Sequence, residues 1–201
     1  ACSRNLRSAL KQVESGQWDG QAVRGHELID RTIGIVGYGR LGSMMGRFAQ
    51  AFRMKVLGTD LEPISDPWVK KVSQGELLST ADVVTLHVHL NKQTRGMIGR
   101  EQIFRMKPGS ILVNTSRGGL IDEQALLEAL DSGHLSAAGL DVIQAERGPD
   151  QTDSPLLRYA VEHDNLIITP HIGGVTVESQ AKAFHHFALK LKRTWYRIAG
   201  V

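Results

Sequence analysis

Short apolar runs alternate along the chain with stretches in which apolar residues recur every three or four positions. After a first strand that begins at Thr32, the apolar runs predict strands at 54–58, 83–87, 111–114, 137–141 and 166–169. Helical spacing predicts a short N-terminal helix with the stripe Leu6, Leu10 and Val13, and later helices at 101–106, 122–130 and 178–198. Strands that alternate with helices predict an α/β fold, a three-layer, doubly wound parallel sheet with flanking helices at both termini.

Three glycines stand where the first strand turns into a helix, in the segment Gly37-Tyr38-Gly39-Arg40-Leu41-Gly42. In a dinucleotide-binding turn, the first glycine allows the tight turn, the second lets the backbone approach a pyrophosphate, and the third lets helix and strand pack closely. A helix after the turn is favoured by the spacing of Leu41, Met45, Phe48 and Phe52. The pattern is typical of the Rossmann fold, with the anion on the helix N-terminus.

Asp60 follows the second predicted strand, eighteen residues after Gly42. A carboxylate there accepts hydrogen bonds from the adenosine ribose hydroxyls and repels a 2′-phosphate, so the pattern favours NAD over NADP. The alternative is a glycine turn without a cofactor, in which Asp60 only caps the segment that follows.

The composition is that of a globular chain. Of the 201 residues, 41% are hydrophobic and 22% are charged, and the net charge of +3 comes without a dense basic run, which argues against a nucleic-acid partner. The single cysteine, Cys2, cannot form an internal disulfide, and no apolar stretch approaches the roughly 20 residues of a membrane span. We therefore expect a cytoplasmic protein with no nucleic-acid or membrane partner.

Three reactive side chains follow the later predicted strands, at the edge where parallel sheets carry their active sites. They are Arg117, Glu146 and His171. Arg117 can hold a carboxylate through two parallel hydrogen bonds, His171 can accept a hydroxyl proton near neutral pH, and Glu146 can orient the imidazole. The set suits oxidation of a 2-hydroxy acid whose C2 hydride passes to a nicotinamide.

Spacing alone leaves other interpretations of these residues open. Arg117 can be a solvated turn residue, and His171 an ordinary strand terminus whose ring bonds a carbonyl. Glu146 can be a surface carboxylate, since Glu162 and Asp164 lie closer to His171 along the sequence.

Four segments resemble, in the same order, the motifs of the D-isomer-specific 2-hydroxyacid dehydrogenases. They are Val36-Gly37-Tyr38-Gly39-Arg40-Leu41-Gly42, Leu112-Val113-Asn114-Thr115-Ser116-Arg117-Gly118-Gly119, Ala138-Gly139-Leu140-Asp141-Val142 and Thr169-Pro170-His171-Ile172-Gly173-Gly174. The resemblance implies an NAD-dependent enzyme acting on a D-2-hydroxy acid or 2-keto acid, with Arg117, Glu146 and His171 as its catalytic triad. Formate dehydrogenases of the same superfamily carry Gln where Glu146 stands, so that activity is disfavoured.

The resemblance also implies which residues lie along the NAD. Asp141 is expected to contact the nicotinamide carboxamide, and residues 87–90 to form a loop over the cofactor. The full expected set is Tyr38, Gly39, Arg40, Leu41, Asp60, His87, Val88, Thr94, Thr115, Ser116, Arg117, Asp141, His171 and Gly173.

Two positions depart from the family pattern, because His89 and Arg147 stand where it usually has proline. His87 and His89 would face the same way on a strand, but the sequence offers no evident third ligand, so no metal site is expected.

The resemblance covers one of the family's two domains. Residues 1–201 are expected to form the dinucleotide-binding domain, with a linking and dimerisation region at 1–30, a core at 31–174 and a C-terminal helix at 175–201. The substrate domain is expected to be absent from the chain, so we predict NAD binding with little or no turnover. Family dimers are built largely from this domain, which implies a homodimer with the first helix and Trp18 reaching the partner. The alternative is that Trp18 packs within its own subunit.

Two other functions stay open on the sequence. Some relatives with this fold are NAD-sensing transcriptional corepressors, so the chain can be a binding module, or it can bind NAD without chemistry. The sequence does not identify the acid or the direction of the reaction.

Overall fold

The structure, a computed structural model, describes residues 1–144, 146 and 154–199. The strands are β1 (Thr32–Val36), β2 (Lys55–Thr59), β3 (Val69–Lys71), β4 (Val83–Leu86), β5 (Ser110–Asn114), β6 (Leu135–Leu140) and β7 (Leu166–Ile168). The α-helices are α1 (Leu6–Glu14), α2 (Arg40–Ala51), α3 (Gln74–Thr80), α4 (Arg100–Arg105), α5 (Glu123–Asp131), α6 (Pro155–Glu162) and α7 (Val177–Ala199). Short 3-10 helices lie at Cys2–Arg4 and Gly118–Leu120.

The strands form one seven-stranded sheet in the order β3-β2-β1-β4-β5-β6-β7, and every neighbouring pair is parallel. The chain moves outward from β1 to β3, returns to β4 beside β1, and then moves outward on the other side. The predicted doubly wound sheet is therefore confirmed, with its switch point between β1 and β4.

The core consists of two clusters of buried side chains. The larger cluster holds the apolar residues of α3, α4, α5 and α6 with the strand residues that face them, such as Val84, Leu112 and Leu166. The smaller cluster joins Ile33 and Ile35 of β1 to Ala49 of α2. Helices therefore cover both faces of the sheet, as the alternating pattern predicts.

Helix α2 forms where its spacing predicts, but it buries a different face. Leu41, Phe48 and Phe52 are 61%, 59% and 59% exposed, whereas the helix residues that are buried are Gly42, Gly46 and Ala49. A Cβ on Gly42 would lie 2.1 Å from the Gly37 carbonyl oxygen. Only small residues fit where helix and strand approach so closely. Of the predicted stripe, Met45 packs against the smaller core cluster, and the other three residues point away from it.

Several predicted boundaries are wrong by one or two residues, and three elements were not predicted. Strand β6 begins at Leu135 rather than at 137, and β4 ends at Leu86. Asp122 is the N-cap of α5, as its carboxylate suggests, and accepts a hydrogen bond from the Ala125 amide at 3.1 Å. The elements missed are the three-residue edge strand β3 and the short helices α3 and α6.

The chain divides into two compact units, Ala1–Thr169 and Pro170–Val201. The first holds the sheet and helices α1 to α6. In the second, a turn closed by the bond from the Val175 amide to the Ile172 carbonyl precedes α7. None of the described helices has both the length and the apolar character that crossing a bilayer requires.

Candidate cofactor-binding and active site

The carboxyl ends of six strands lie in one paired row. The parallel register joins neighbours along the series Thr59, Val36, Leu86, Asn114, Leu140 and Ile168. Four residues expected to bind the cofactor come directly after members of this row, namely Asp60, His87, Thr115 and Asp141. Strand register thus brings residues that are far apart in sequence to the edge where open α/β sheets bind ligands.

The glycine turn has room for a ligand on one side only. Gly37 has φ of 88°, and a Cβ there would lie 2.7 Å from the His87 carbonyl oxygen and 2.6 Å from Cγ1 of Val88. A Cβ on Gly39, the N-cap of α2, would meet no atom within 4 Å. The open side therefore lies beside the first turn of α2, whose amides have no partner within the helix. This cradle fits a dinucleotide pyrophosphate, with Arg40 and Leu41 exposed at its rim.

Asp60 lies half-buried just past β2, in a turn tied to the next strand. Its Oδ1 accepts a hydrogen bond from the Glu62 amide at 3.0 Å, and Nζ of Lys71 donates to the Glu62 carbonyl at 2.8 Å. The Tyr38 hydroxyl donates to Oδ2 of Asp66 in the same connection, at 2.9 Å. The side chain of Tyr38 is therefore engaged with the β2–β3 connection.

The loop after β4 carries His87, Val88 and Thr94. The His87 imidazole lies within 3.1 Å of the Thr85 hydroxyl, and burial lowers the pKa of His87, which favours the neutral ring. The Thr94 hydroxyl donates to the His89 carbonyl at 2.6 Å and accepts from the Asn91 amide at 2.9 Å. The Thr94 hydroxyl, on a residue expected to bind the cofactor, thus forms hydrogen bonds within the loop itself.

Buried Asn114 shapes the loop that carries Arg117. Its Nδ2 donates to the Arg117 carbonyl at 2.9 Å, and its Oδ1 accepts from the Ser116 amide at 3.0 Å. The Ser116 hydroxyl donates to the Leu86 carbonyl at 2.7 Å, which ties the loop to β4. The Arg117 side chain is exposed, with one guanidinium nitrogen donating to the Ser116 carbonyl at 2.6 Å. A fixed backbone therefore presents a guanidinium to solvent.

The Arg117 loop packs against the segment that leads to Glu146. A Cβ on Gly118 would lie 2.1 Å from the carbonyl carbon of Ile143 and 2.5 Å from the Gln144 nitrogen. Glu146 follows two residues after Gln144 and is half-buried. Arg117 and Glu146 thus lie on touching segments, while Arg147 lies outside the described residues.

Glu123 holds the same segment and was not predicted as a site residue. Its Oε1 accepts a hydrogen bond from the Gln144 amide at 2.5 Å, and Nε2 of Gln144 donates to the Ile121 carbonyl at 2.9 Å. Burial raises the pKa of Glu123, although the Gln144 bond acts in the opposite direction. In the sequence, Glu123 is only an acidic residue in the first turn of α5, and that position carries no signal of a contact with residue 144.

Asp141 is buried at the rim of an apolar cavity. Its amide donates to the Asn114 carbonyl at 2.9 Å, and its Oδ1 accepts from the Thr169 hydroxyl at 2.5 Å. The cavity has a volume of about 380 Å³, and its lining includes Thr115, Asp141, Thr169, Val83, Ile111 and Val113. A planar group of mixed polarity would find both apolar walls and hydrogen-bonding partners there.

His171 belongs to the second unit and has an unusual backbone. Its φ is 56°, in the left-handed region, which costs a non-glycine residue about 1 to 3 kcal/mol. Gly173 follows in the same exposed turn, and the Ser179 hydroxyl donates to the Gly174 carbonyl at 2.5 Å. Strained residues of this kind cluster at functional sites, because the surrounding structure must hold them.

The described part of the chain contains no group of three His, Cys, Asp or Glu side chains that could hold a metal ion.

The chain matches the family model described as D-isomer specific 2-hydroxyacid dehydrogenase, NAD binding domain, over residues 1–173. It belongs to this family. The predictions of family, fold and NAD as the cofactor of this NAD-binding domain are thereby confirmed.

Two curated relatives and one solved structure illustrate how far the similarity extends. Hydroxypyruvate reductase of Thermotoga maritima is 41% identical over 183 residues, or 90% of this chain and 58% of the relative. D-3-phosphoglycerate dehydrogenase of Methanocaldococcus jannaschii is 42% identical over 198 residues, or 96% of this chain and 36% of the relative. A D-lactate dehydrogenase from Aquifex aeolicus, complexed with NAD and lactic acid, superposes with a TM-score of 0.87 at 32% identity, covering 99% of this chain and 63% of that one. The chain therefore spans less than two thirds of each.

Proposed function

We propose that this chain is the coenzyme domain of an NAD-dependent dehydrogenase that interconverts a D-2-hydroxy acid and a 2-keto acid. The observation that carries the proposal is the row of strand ends, which aligns Asp60, His87, Thr115 and Asp141 along one edge beside the open cradle at Gly39. The relatives named as hydroxypyruvate reductase and D-lactate dehydrogenase support the substrate class. We propose the domain limits 1–30, 31–174 and 175–201 for its linking region, core and C-terminal helix.

Bound NAD supplies the nicotinamide that exchanges a hydride with the substrate carbon. In the proposal the first amides of α2 bind the pyrophosphate, and the Asp60 carboxylate accepts hydrogen bonds from the ribose hydroxyls. Thr115 and Asp141, at the rim of the apolar cavity, orient the carboxamide end.

Three side chains act on the substrate in this proposal. Arg117 holds the substrate carboxylate through two parallel hydrogen bonds, which fixes the orientation of the C2 carbon. His171 takes the proton of the C2 hydroxyl during oxidation and returns it during reduction. Glu146 accepts a hydrogen bond from the imidazole and stabilises its charged form. The touching segments of Arg117 and Glu146 and the left-handed backbone of His171 support these roles.

The cofactor preference is tested by titrating the chain with NAD and with NADP in parallel. Because the Asp60 carboxylate repels a 2′-phosphate, we expect NAD to bind at least about tenfold more tightly. Asp60→Asn keeps the shape and removes the charge, so it should narrow the difference. Tighter binding of NADP by the unaltered chain would contradict the role of Asp60.

Turnover by the chain itself tests the catalytic proposal. Catalysis of this kind gains from a closing domain that excludes water, and the chain spans 58% of one relative and 36% of another. We therefore expect slow oxidation of NADH with glyoxylate, pyruvate or hydroxypyruvate, and a further loss of about a hundredfold or more in His171→Asn. An unchanged rate in His171→Asn would count against the role of His171, whereas normal turnover by the unaltered chain would contradict only the expectation that a closing domain is needed for speed.

We further propose that the chain forms a homodimer. Trp18 is 90% exposed, so it does not pack within its own subunit. Large aromatic side chains in such positions are typical of interfaces.

A further inference from the structure

The hydroxyl of Tyr38 links two parts of the cofactor site. Tyr38 lies in the glycine turn that faces the pyrophosphate, between Gly37 and Gly39. Its partner Asp66 lies in the connection between β2 and β3, residues 60–68, which begins with Asp60 and is called the ribose loop below. The 2.9 Å hydrogen bond from the Tyr38 hydroxyl to Oδ2 of Asp66 therefore spans the turn and the loop.

Two glycines leave the space in which the Tyr38 ring lies. A Cβ on Gly46 of α2 would lie 2.6 Å from the Tyr38 hydroxyl oxygen and 3.1 Å from Cη2 of Trp68. A Cβ on Gly58 of β2 would lie 3.3 Å from Cδ2 of Tyr38 and 2.8 Å from Cδ1 of Ile64. The Tyr38 ring thus lies between α2 and β2, in the same space that Trp68 and Ile64 of the ribose loop approach, and its direction is fixed by packing as well as by the hydrogen bond.

Trp68 at the end of the ribose loop packs against the smaller core cluster, and the hydrogen bonds of the loop to the rest of the fold are few. Among the described hydrogen bonds, Lys71 holds the Glu62 carbonyl at 2.8 Å, and the Val69 amide donates to the Asp66 carbonyl at 3.1 Å. Both of these join the loop to β3, the edge strand. The Tyr38–Asp66 bond joins it instead to the turn that carries Gly39, so this bond relates the pyrophosphate cradle to the ribose carboxylate.

The hydroxyl is suited to donating at any physiological pH. Burial, the hydrogen bond to Asp66 and the charge of Asp66 all raise the pKa of Tyr38, while nearby Arg47 lowers it to a smaller extent. The phenol therefore remains protonated, and the carboxylate of Asp66 is the acceptor.

We propose that Tyr38 and Asp66 are positioning residues for the adenosine end of NAD, which act by holding the ribose loop so that Asp60 faces the ribose hydroxyls. The inference rests on the proposed function, because it assumes that NAD occupies the cradle. It assigns to Asp66, which is not among the residues expected to bind the cofactor, a part in choosing between NAD and NADP.

The test compares NAD and NADP binding by the full chain and by Tyr38→Phe, which keeps the ring and removes the hydroxyl. Loss of one hydrogen bond to a charged group should weaken NAD binding by about five- to tenfold. NADP binding should change less, because a loosened loop lets Asp60 move away from the 2′-phosphate. The ratio of the NADP dissociation constant to the NAD dissociation constant should therefore fall. Tyr159→Phe in α6 removes the same atom elsewhere in the fold and serves as the control.

Substitutions of Asp66 provide a second, independent test of the proposal. Asp66→Ala should have the same effect as Tyr38→Phe, and the double variant should add little to either, because both single changes break one bond. Asp66→Asn retains an oxygen that can accept the hydroxyl, so it should restore most of the NAD preference.

The outcomes separate this inference from the proposed function. If the unaltered chain fails to bind NAD, the proposed function is wrong and the inference goes with it. If the unaltered chain binds NAD and the variants match it, or if they weaken NAD and NADP equally, the positioning role is wrong while the proposed function stands.

Discussion

Gly39 and Gly42 belong to the same motif but meet different physical constraints. A side chain on Gly39 would enter open space, where the proposed function puts the pyrophosphate. A side chain on Gly42 would enter the backbone, 2.1 Å from the Gly37 carbonyl oxygen. The proposed ligand therefore requires glycine at position 39, and the packing of the fold requires glycine at position 42.

Alanine at each position should separate these two needs. Gly39 has φ of −76°, outside the left-handed region that favours glycine, so Gly39→Ala should melt close to the temperature of the unaltered chain and lose at least about tenfold in NAD affinity. Gly42→Ala should lose about 2 kcal/mol or more of unfolding free energy, because α2 must move away from the sheet. Thermal unfolding and NAD titration of both variants check this. A Gly39→Ala chain that binds NAD normally would remove the argument for the cradle.

The residue types of the candidate site could be predicted, but their supports could not. Reactive side chains follow strand ends, so Arg117 and Asp141 can be identified in the sequence once the strands have been predicted. The bonds Tyr38–Asp66 and Glu123–Gln144 join residues 28 and 21 positions apart. They depend on the paths of two loops, and no periodicity encodes a loop path.

At the scale of elements, the sequence predicts what is long or fully buried. Apolar runs identified β1, β2, β4, β5, β6 and β7, because strands covered by helices on both faces are apolar throughout. Strand β3 has three residues at the sheet edge, of which Lys70 and Lys71 are exposed, and so gives no such signal. Helix α3 spans seven residues, about two turns, which is too short for a clear apolar stripe.

Asp82 ties together elements at the sheet edge opposite the candidate site. Its Oδ2 accepts from the Thr32 amide at 2.8 Å, and its Oδ1 accepts from Nζ of Lys107 at 2.7 Å. Burial by itself would raise the pKa of Asp82, but the bonds from Lys107 and Thr32 and the charges of Lys107 and Arg31 outweigh it, and the pKa is lowered. The ionised carboxylate thus joins the start of β1 to the segment after α4.

Lowering the pH should remove the stabilisation that ionised Asp82 provides. A lowered pKa means that the native state favours ionised Asp82, so its stabilisation is present above the unfolded-state pKa of about 3.9 and is lost as the pH falls through the lower native value. Asp82→Asn should lower the free energy of unfolding by about 1 to 2 kcal/mol at pH 7. The difference in unfolding free energy between the variant and the unaltered chain should shrink below about pH 4.

Urea unfolding at a series of pH values measures the effect of Asp82→Asn. Glu128→Gln is the matched control, because Glu128 pairs with Arg100 on exposed helix surfaces and should contribute little. If the loss of unfolding free energy in Asp82→Asn stayed constant across this pH range, the ionised carboxylate of Asp82 would not be the source of the stabilisation.

At the scale of the whole molecule, one feature of the first unit stands out, a row of large apolar side chains on the outer face of α2. Between 48% and 61% of the surface of each is exposed, and the row consists of Leu41, Met44, Phe48 and Phe52. Their spacing of three and four residues puts them on one face of the helix. A contiguous apolar row of this kind marks an interaction surface more often than a solvated face, and with Trp18 it supports the proposed homodimer.

Sedimentation of the chain at micromolar concentration tests the proposed dimer, and we expect a dimer under these conditions. Trp18→Ala removes the most exposed aromatic side chain of the first unit and should weaken association by at least about tenfold, since buried tryptophans dominate interface energies. Phe48→Ala should act in the same direction if α2 shares the interface. Val161→Ala removes an exposed apolar side chain from α6, 73% exposed, and should leave association unchanged. A monomer at every concentration, with Trp18→Ala indistinguishable from the unaltered chain, would refute the dimer and leave the exposed face of α2 without a partner of its own kind.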